Sequence, residues 1–320
     1  MRKEVKDVGK TKVREIEGSA SLEVSFDDIL NSLVEGYGKK DDQENKKKFL
    51  ELFNKSLKQI LSKHDCSKNY NILFLFDNTT LIKSDSDRIY QAIKSLEKNK
   101  KPLLLILLSN GGEPGSAFLI GKLCRESCNE KFVISVPRHA KSAATLLACA
   151  ADEIHMGSLS ELGPIDPQIK GMPALGLKNS IEHIAELVTK NPDSAQMFAK
   201  YLYLSVEPIQ IGYYERAAKS AEQYAEKLLN SHKQKSGINT SAIAYKLVHE
   251  YKDHGFVIDK AEAKTIFGEA IVKNDSPEYN LSNDLYIELS KIERIADILG
   301  FTFYFIGSIN SEPQLVKKKK

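Results

Sequence analysis

The chain has 320 residues, 42% of them apolar and 28% charged. That composition excludes a disordered or fibrous polypeptide and is enough for one sizeable core with appendages. Its 46 basic and 43 acidic residues leave a formal charge of +3, too little to make nucleic acid or acidic lipid the main partner.

No run approaches the roughly 18 apolar residues of a membrane span. The opening Met1-Arg2-Lys3-Glu4 lacks the apolar centre of a signal peptide. A cytoplasmic protein is therefore expected, with contact to a membrane surface left open. Cys66, Cys124, Cys128 and Cys149 are too sparse for a disulfide framework and suit a reducing compartment. Cys124 and Cys128 stand one turn apart on a predicted helix, but no histidine or carboxylate pair nearby completes a metal-ligand set.

Residues 1–69 read as a helical appendage. A charged helix start at Lys39 to Lys48 is followed by Phe49, Leu50, Leu52, Phe53, Leu57, Ile60 and Leu61 at helical spacing. This stripe is expected to pack on the main domain, with a second subunit as the other possibility.

Alternating strands and helices then begin. Asn71 to Phe76 is a buried-strand run, and Ser86 to Asn99 carries Ile89, Ile93 and Leu96 on one helical face. Leu103 to Leu108, after Pro102, is apolar throughout and reads as a strand covered on both sides. A helix over Ala117 to Cys128, a strand over Phe132 to Val136 and a helix over Ser142 to Ala151 follow. Short connections between them point to parallel βαβ units, whose ligand sites lie at the carboxyl ends of the strands. Glu153 to Met156 is a further short strand, and Gly157 to Gly171 a turn-rich loop. Helices are expected near Ile181 to Lys190, Pro208 to Ser231 and Ser241 to Tyr251, with a break at Ser236-Gly237-Ile238. The last segment, 271–320, holds a helix near Leu285 to Leu299, an aromatic strand over Phe301 to Ile306, and a basic tail at Lys317 to Lys320 read as solvated.

Two turns attract chemistry. Ser109-Asn110-Gly111-Gly112 ends the all-apolar strand, and its glycines can adopt backbone angles that leave N–H groups pointing outward. Lys141-Ser142-Ala143-Ala144 opens a helix of small residues. Taken alone, Ser142 is a helix cap. Beside the glycine turn, its hydroxyl is instead a candidate nucleophile, with the Gly112 and Ala143 N–H groups as an oxyanion pair.

Together these turns resemble the serine dehydrogenase proteinase (SDH) family of the Clp-protease/crotonase-like superfamily. The resemblance rests on Ser109-Asn110-Gly111-Gly112, Ala140-Lys141-Ser142-Ala143-Ala144-Thr145, Ala150-Ala151-Asp152-Glu153-Ile154, Ser160 to Gln168, and the closing His254-Gly255-Phe256-Val257-Ile258-Asp259. It covers about 70–270 and extends to the signal-peptide peptidases. It implies an α/β Clp/crotonase-like fold with a parallel sheet and extended helices, a serine endopeptidase activity without cofactor or metal, a peptide or protein substrate, and a homo-oligomer. Ser142 takes the nucleophile position, and Gly111, Gly112 and Ala143 the oxyanion positions.

The base is less direct. Where Clp proteases carry their histidine, this chain has Asp166; near the position of their acid stands His254. An exchanged arrangement, His254 as base and Asp166 as its orienting carboxylate, is set against a serine–lysine dyad using Lys178 or Lys190. Lys141 is expected to point away from Ser142, His139 to be an exposed turn residue and His155 a core one. Two other functions stay open: a catalytically silent scaffold of the same fold, and a crotonase-type acyl-CoA enzyme.

Overall fold

The computed structural model describes residues 24–38, 42–96, 101–128, 130–169, 172–205, 207–232 and 239–319. The expectations placed on Met1-Arg2-Lys3-Glu4, on Ser236-Gly237-Ile238 and on Lys320 lie outside these residues.

Two amphipathic helices open the described chain, α1 (Phe26–Tyr37) and α2 (Gln43–Lys63). The Asp42 side chain caps α2 by accepting from Glu44 N at 2.9 Å. Strand and helix then alternate: β1 (Asn71–Asp77), α3 (Lys83–Leu96), β2 (Leu103–Ser109), α4 (Pro114–Ser127), β3 (Phe132–Val136), the short β4 (His139–Ala140), α5 (Ala143–Ala148) and β5 (Glu153–Met156). Next come β6 (Glu161–Leu162), a small hairpin of β7 (Gln168–Ile169) and β8 (Met172–Pro173), and three helices, α6 (Ala174–Lys190), α7 (Ala195–Ser205) and α8 (Pro208–Leu229). The chain continues through α9 (Thr240–Tyr245), a π-helical turn at Lys246–Glu250, α10 (Lys260–Phe267), β9 (Val272–Asn274), α11 (Pro277–Ile298), β10 (Phe301–Ser308) and β11 (Gln314–Lys317).

The main sheet runs in the order β11-β10-β1-β2-β3-β5-β9. From β1 to β9 every pairing is parallel, whereas β10 joins β1 antiparallel. The sheet thus takes strands from both sides of residue 270.

Alternation along the strands explains why both faces are covered. Leu73, Leu75, Leu103, Leu105, Leu107, Ile134 and Val136 bury against α3, α4, α5 and α8. Their neighbours Ile72, Phe74, Phe76, Leu104, Ile106 and Leu108 bury on the opposite face with α1, α2 and α11. Phe49, Phe53 and Leu57 of α2 are fully buried there. The N-terminal stripe therefore packs on the sheet, and Phe53 meets Phe305 of β10 edge-on at 5.1 Å. At roughly 1.5–3 kcal/mol per fully buried large apolar side chain, these three residues make the second face a substantial part of the core.

Helix α8 lays Ala218, Ala221, Ala225, Leu228 and Leu229 on the core, but α7 buries none of its residues. Helix α6 starts earlier than the sequence pattern suggested, at Ala174 after Pro173; Gly176 in its first turn masks the pattern. No helix among the described residues is long and apolar enough to cross a membrane.

Candidate active site

The glycine turn lies at the carboxyl end of β2 and the serine turn at that of β4, which pairs with β2. Lys141 N donates to Ser109 O at 2.9 Å, so the serine turn is stitched directly onto the end of β2. Ser142 follows with φ 52 and ψ −119, one of two non-glycine residues with positive φ among those described. An L-residue held there costs on the order of 1–3 kcal/mol and persists only where the surroundings enforce it. The enforcement is visible. Thr145 Oγ1 donates to Ala140 O at 2.6 Å and accepts from Gly163 N at 3.0 Å, closing the turn from inside.

The sequence pattern makes Ser142 the first residue of a helix, a position where serine ordinarily caps. In the structure α5 begins at Ala143, and Ser142 holds the N-cap position with its carbonyl alone, its side chain making no capping bond. Its half-buried hydroxyl has no hydrogen-bond partner among the described residues. A strained serine between a strand and a buried helix has the form of a nucleophile elbow.

The glycine turn is shaped to meet it. Gly111 has φ 94, and a Cβ built there would stand 2.8 Å from Ser142 Cβ and 2.9 Å from Ala143 N. Only glycine permits that approach. Gly112, with φ 149, is clasped by Leu81, whose N donates to Gly111 O at 2.8 Å and whose O accepts from Glu113 N at 2.9 Å. The Gly111 N–H donates to Ser109 Oγ at 3.1 Å and is therefore engaged. The N–H groups of Gly112 and Ala143 have no acceptor among the described residues. Of the three residues expected at the oxyanion position, two offer a free donor and Gly111 supplies the space.

His254 and Asp166, 88 residues apart in sequence, meet at 2.6 Å through Nδ1 and Oδ1. Asp166 is 5% exposed, and its other oxygen accepts from Gln168 Nε2 at 2.8 Å. A carboxylate fixed on Nδ1 leaves Nε2 as the acceptor nitrogen of a neutral imidazole. The Asp166 hydrogen bond raises the histidine pKa above its ordinary 6.5, against the opposing effect of burial. Asp166 also borders a cavity of 360 Å³ lined by Pro173, Gly176, Asn179, His249 and Lys252.

The lysine alternatives fare differently. Lys178 is 59% exposed and lies 3.7 Å from Glu182 one turn along α6, and Lys190 is exposed at the end of that helix. Neither is buried, as the lysine of a serine–lysine dyad must be. Lys141 turns its ammonium to Leu162 O at 3.1 Å and Glu161 Oε2 at 3.1 Å. His139 departs from expectation. It lies on β4, half-buried, with Nε2 sequestered and unpartnered among the described residues, and burial lowers its pKa. His155 is a core residue, bonded to Ser276 Oγ at 2.5 Å and Glu153 Oε2 at 3.1 Å. No group of three or more candidate metal ligands occurs among the described residues; Cys124 and Cys128 are buried.

A mostly parallel sheet flanked by helices, with a strained serine facing a glycine turn at the strand ends, defines a Clp-type α/β architecture. Residues 72–201 match the family described as the ClpP-like SDH-type serine proteinase.

Two uncharacterized proteins of Methanocaldococcus jannaschii are relatives. One is 40% identical over 98 residues, which is 31% of this chain and 34% of the relative. The other is 33% identical over 105 residues, 33% of this chain and 35% of the relative. The chain thus spans about a third of the length of the curated relatives it matches. Among solved structures, a mutant of the 1510-N membrane-bound stomatin-specific protease superposes with a TM-score of 0.42 at 14% identity, over 78% of this chain and 95% of that one. ClpP1 from Listeria monocytogenes gives 0.40 at 11% identity, over 65% and 94%.

Proposed function

We propose that this protein is a serine peptidase that hydrolyses peptide bonds through an acyl-enzyme on Ser142, with His254 as base and Asp166 as its orienting carboxylate. The observation that carries the reading is the Ser142 backbone. A residue strained to φ 52, whose side chain caps nothing, presents an unengaged hydroxyl next to the glycine turn, and the Gly112 and Ala143 N–H groups are free.

In this reading, Nε2 of His254 takes the hydroxyl proton as Ser142 Oγ attacks the peptide carbonyl. The Gly112 and Ala143 N–H groups donate to the oxyanion, and the imidazolium, steadied by Asp166, returns the proton to the departing amine. Water then enters by the same route and releases the acyl group. None of these steps calls on a cofactor.

The family match over 72–201 supports the peptidase class. Support for a homo-oligomer comes from α7, which leaves Met197, Tyr201, Tyr203 and Leu204 at least 60% exposed. A cytoplasmic location fits the four free cysteines.

A silent scaffold is the second reading. It is favoured by the lack of a hydrogen bond between Ser142 and His254 among the described residues. Catalytic bonds of this kind commonly close only when substrate is bound. Incubating the purified chain with a library of unstructured peptides separates the two readings. The peptidase reading expects cleavage by the native chain and none by Ser142→Ala, while intact peptides in both reactions support the scaffold.

A further inference from the structure

Resting on the serine-peptidase reading, we propose that Lys141 is a positioning residue whose ammonium ties the loop carrying His254 to the turn carrying Ser142.

The loop has few polar ties to hold it. Between Tyr251 and Ile258 its backbone bonds are local: Gly255 N to Asp253 Oδ1 at 2.9 Å and Phe256 N to Asp253 O at 3.1 Å. Phe256 and Val257 are 45% and 53% exposed. Regular pairing resumes only at Ile258, which exchanges backbone hydrogen bonds with Leu162 at 2.8 and 3.1 Å. Before that point, Phe256 packs on the Tyr251 ring at 4.8 Å, and the polar ties to the rest of the molecule are the His254–Asp166 bond and Lys141, whose Nζ donates to Phe256 O at 3.4 Å.

Lys141 is suited to this task. Its backbone is anchored on β2 through Ser109 O. Its side chain, 17% exposed, crosses Gly163, where Cδ stands 2.7 Å from the position a Cβ would occupy. A side chain at 163 would therefore meet the lysine stem. At the far end, Leu162 O, Phe256 O and Glu161 Oε2 give three oxygens for the three N–H donors of an ammonium. An ammonium bonded in this way has no lone pair to offer Ser142, so the same geometry argues against Lys141 as the base. It joins residues 141, 162 and 256, each one or two positions from the serine or the histidine or on the strand leading to Asp166.

The test is peptide hydrolysis by Lys141→Met, which keeps the apolar stem, by His254→Ala, and by the double variant, in the full chain. Loosening a positioned base costs on the order of 10²-fold in turnover. Lys141→Met should lose about that much kcat, with KM changed less than about twofold because peptide binding is untouched. In the His254→Ala background the same substitution should cost nothing further, since the tether acts only through the histidine. Gly163→Ala, whose methyl would displace the lysine stem, should reproduce the kcat loss even if Lys141→Met folds poorly.

Native kcat in both Lys141→Met and Gly163→Ala overturns the proposal. Equal losses with and without His254 also overturn it, because Lys141 would then act independently. Full activity in His254→Ala instead removes the base assignment on which the tether depends. That outcome is distinct from a harmless Lys141→Met beside an inactive His254→Ala, which sinks the tether alone.

Discussion

The turn that carries Ser142 and the loop that carries His254 are built in contrasting ways. The serine turn is continuous with the core: Ala143 to Ala151 are all buried, and backbone bonds fix the turn to β2. The histidine loop is partly exposed and is held to the molecule mainly by side chains. The difference separates two demands. A nucleophile in a strained conformation needs a rigid surround to keep it there, whereas a base needs orientation, which one carboxylate supplies.

If this division is right, losing the orienting carboxylate should be the costlier change for catalysis and the cheaper for the fold. Asp166→Asn removes the acceptor on Nδ1 and favours the wrong imidazole tautomer. It is expected to lower kcat by about 10³–10⁴-fold while leaving the thermal midpoint within a few degrees of native. Steady-state peptide hydrolysis and calorimetry on the same preparation check both halves.

Gly111→Ala strikes the other region. Its methyl would stand 2.6 Å from Lys141 O at a φ of 94. Turnover should fall by about 10²-fold, with stability reduced by about 1–3 kcal/mol in denaturant titration. A Gly111→Ala protein of native stability and activity would show that the two turns are less tightly fitted than the structure indicates.

The pH dependence sharpens the comparison further. The Asp166 hydrogen bond raises the His254 pKa, and the base must be neutral, so kcat/KM should climb with pH through a midpoint above 6.5. In Asp166→Asn the midpoint should move down. The stability sign is opposite. A folded-state pKa above the unfolded one contributes stability fully present below about 6.5 and lost as pH rises through the folded value. A midpoint that stays fixed in Asp166→Asn would assign the titration to another group.

The smallest effect concerns strain alone. Ser142→Gly relieves the positive φ and is expected to stabilise the chain by about 1 kcal/mol while abolishing hydrolysis. His254→Ala, in the loosely held loop, should cut hydrolysis to the residual level that the oxyanion site and binding alone support, without such a gain.

Much of the fold was legible in the sequence because strand burial writes itself as uninterrupted apolar runs. Leu103 to Leu108 and Phe132 to Val136 became strands with every residue buried. The glycine turn was legible too, since few residues other than glycine reach φ 94 and 149. Helix α7 was not anticipated: it buries none of its residues, so no polar–apolar alternation marks it. Asp166 and His254 were joined by resemblance, as no local pattern reports a contact across 88 residues. The bonds from Lys141 were hidden for a similar reason. They depend on the empty space at Gly163, which a sequence does not display. His139 was misjudged because a turn was expected where β4 pairs with β6.

Mapping the adduct of a fluorophosphonate on the native chain by peptide mass spectrometry tests the central claim most directly. The account predicts a single phosphonylated residue, Ser142, formed faster as His254 loses its proton. A modified residue elsewhere, or an unmodified Ser142 in a folded chain, would contradict it.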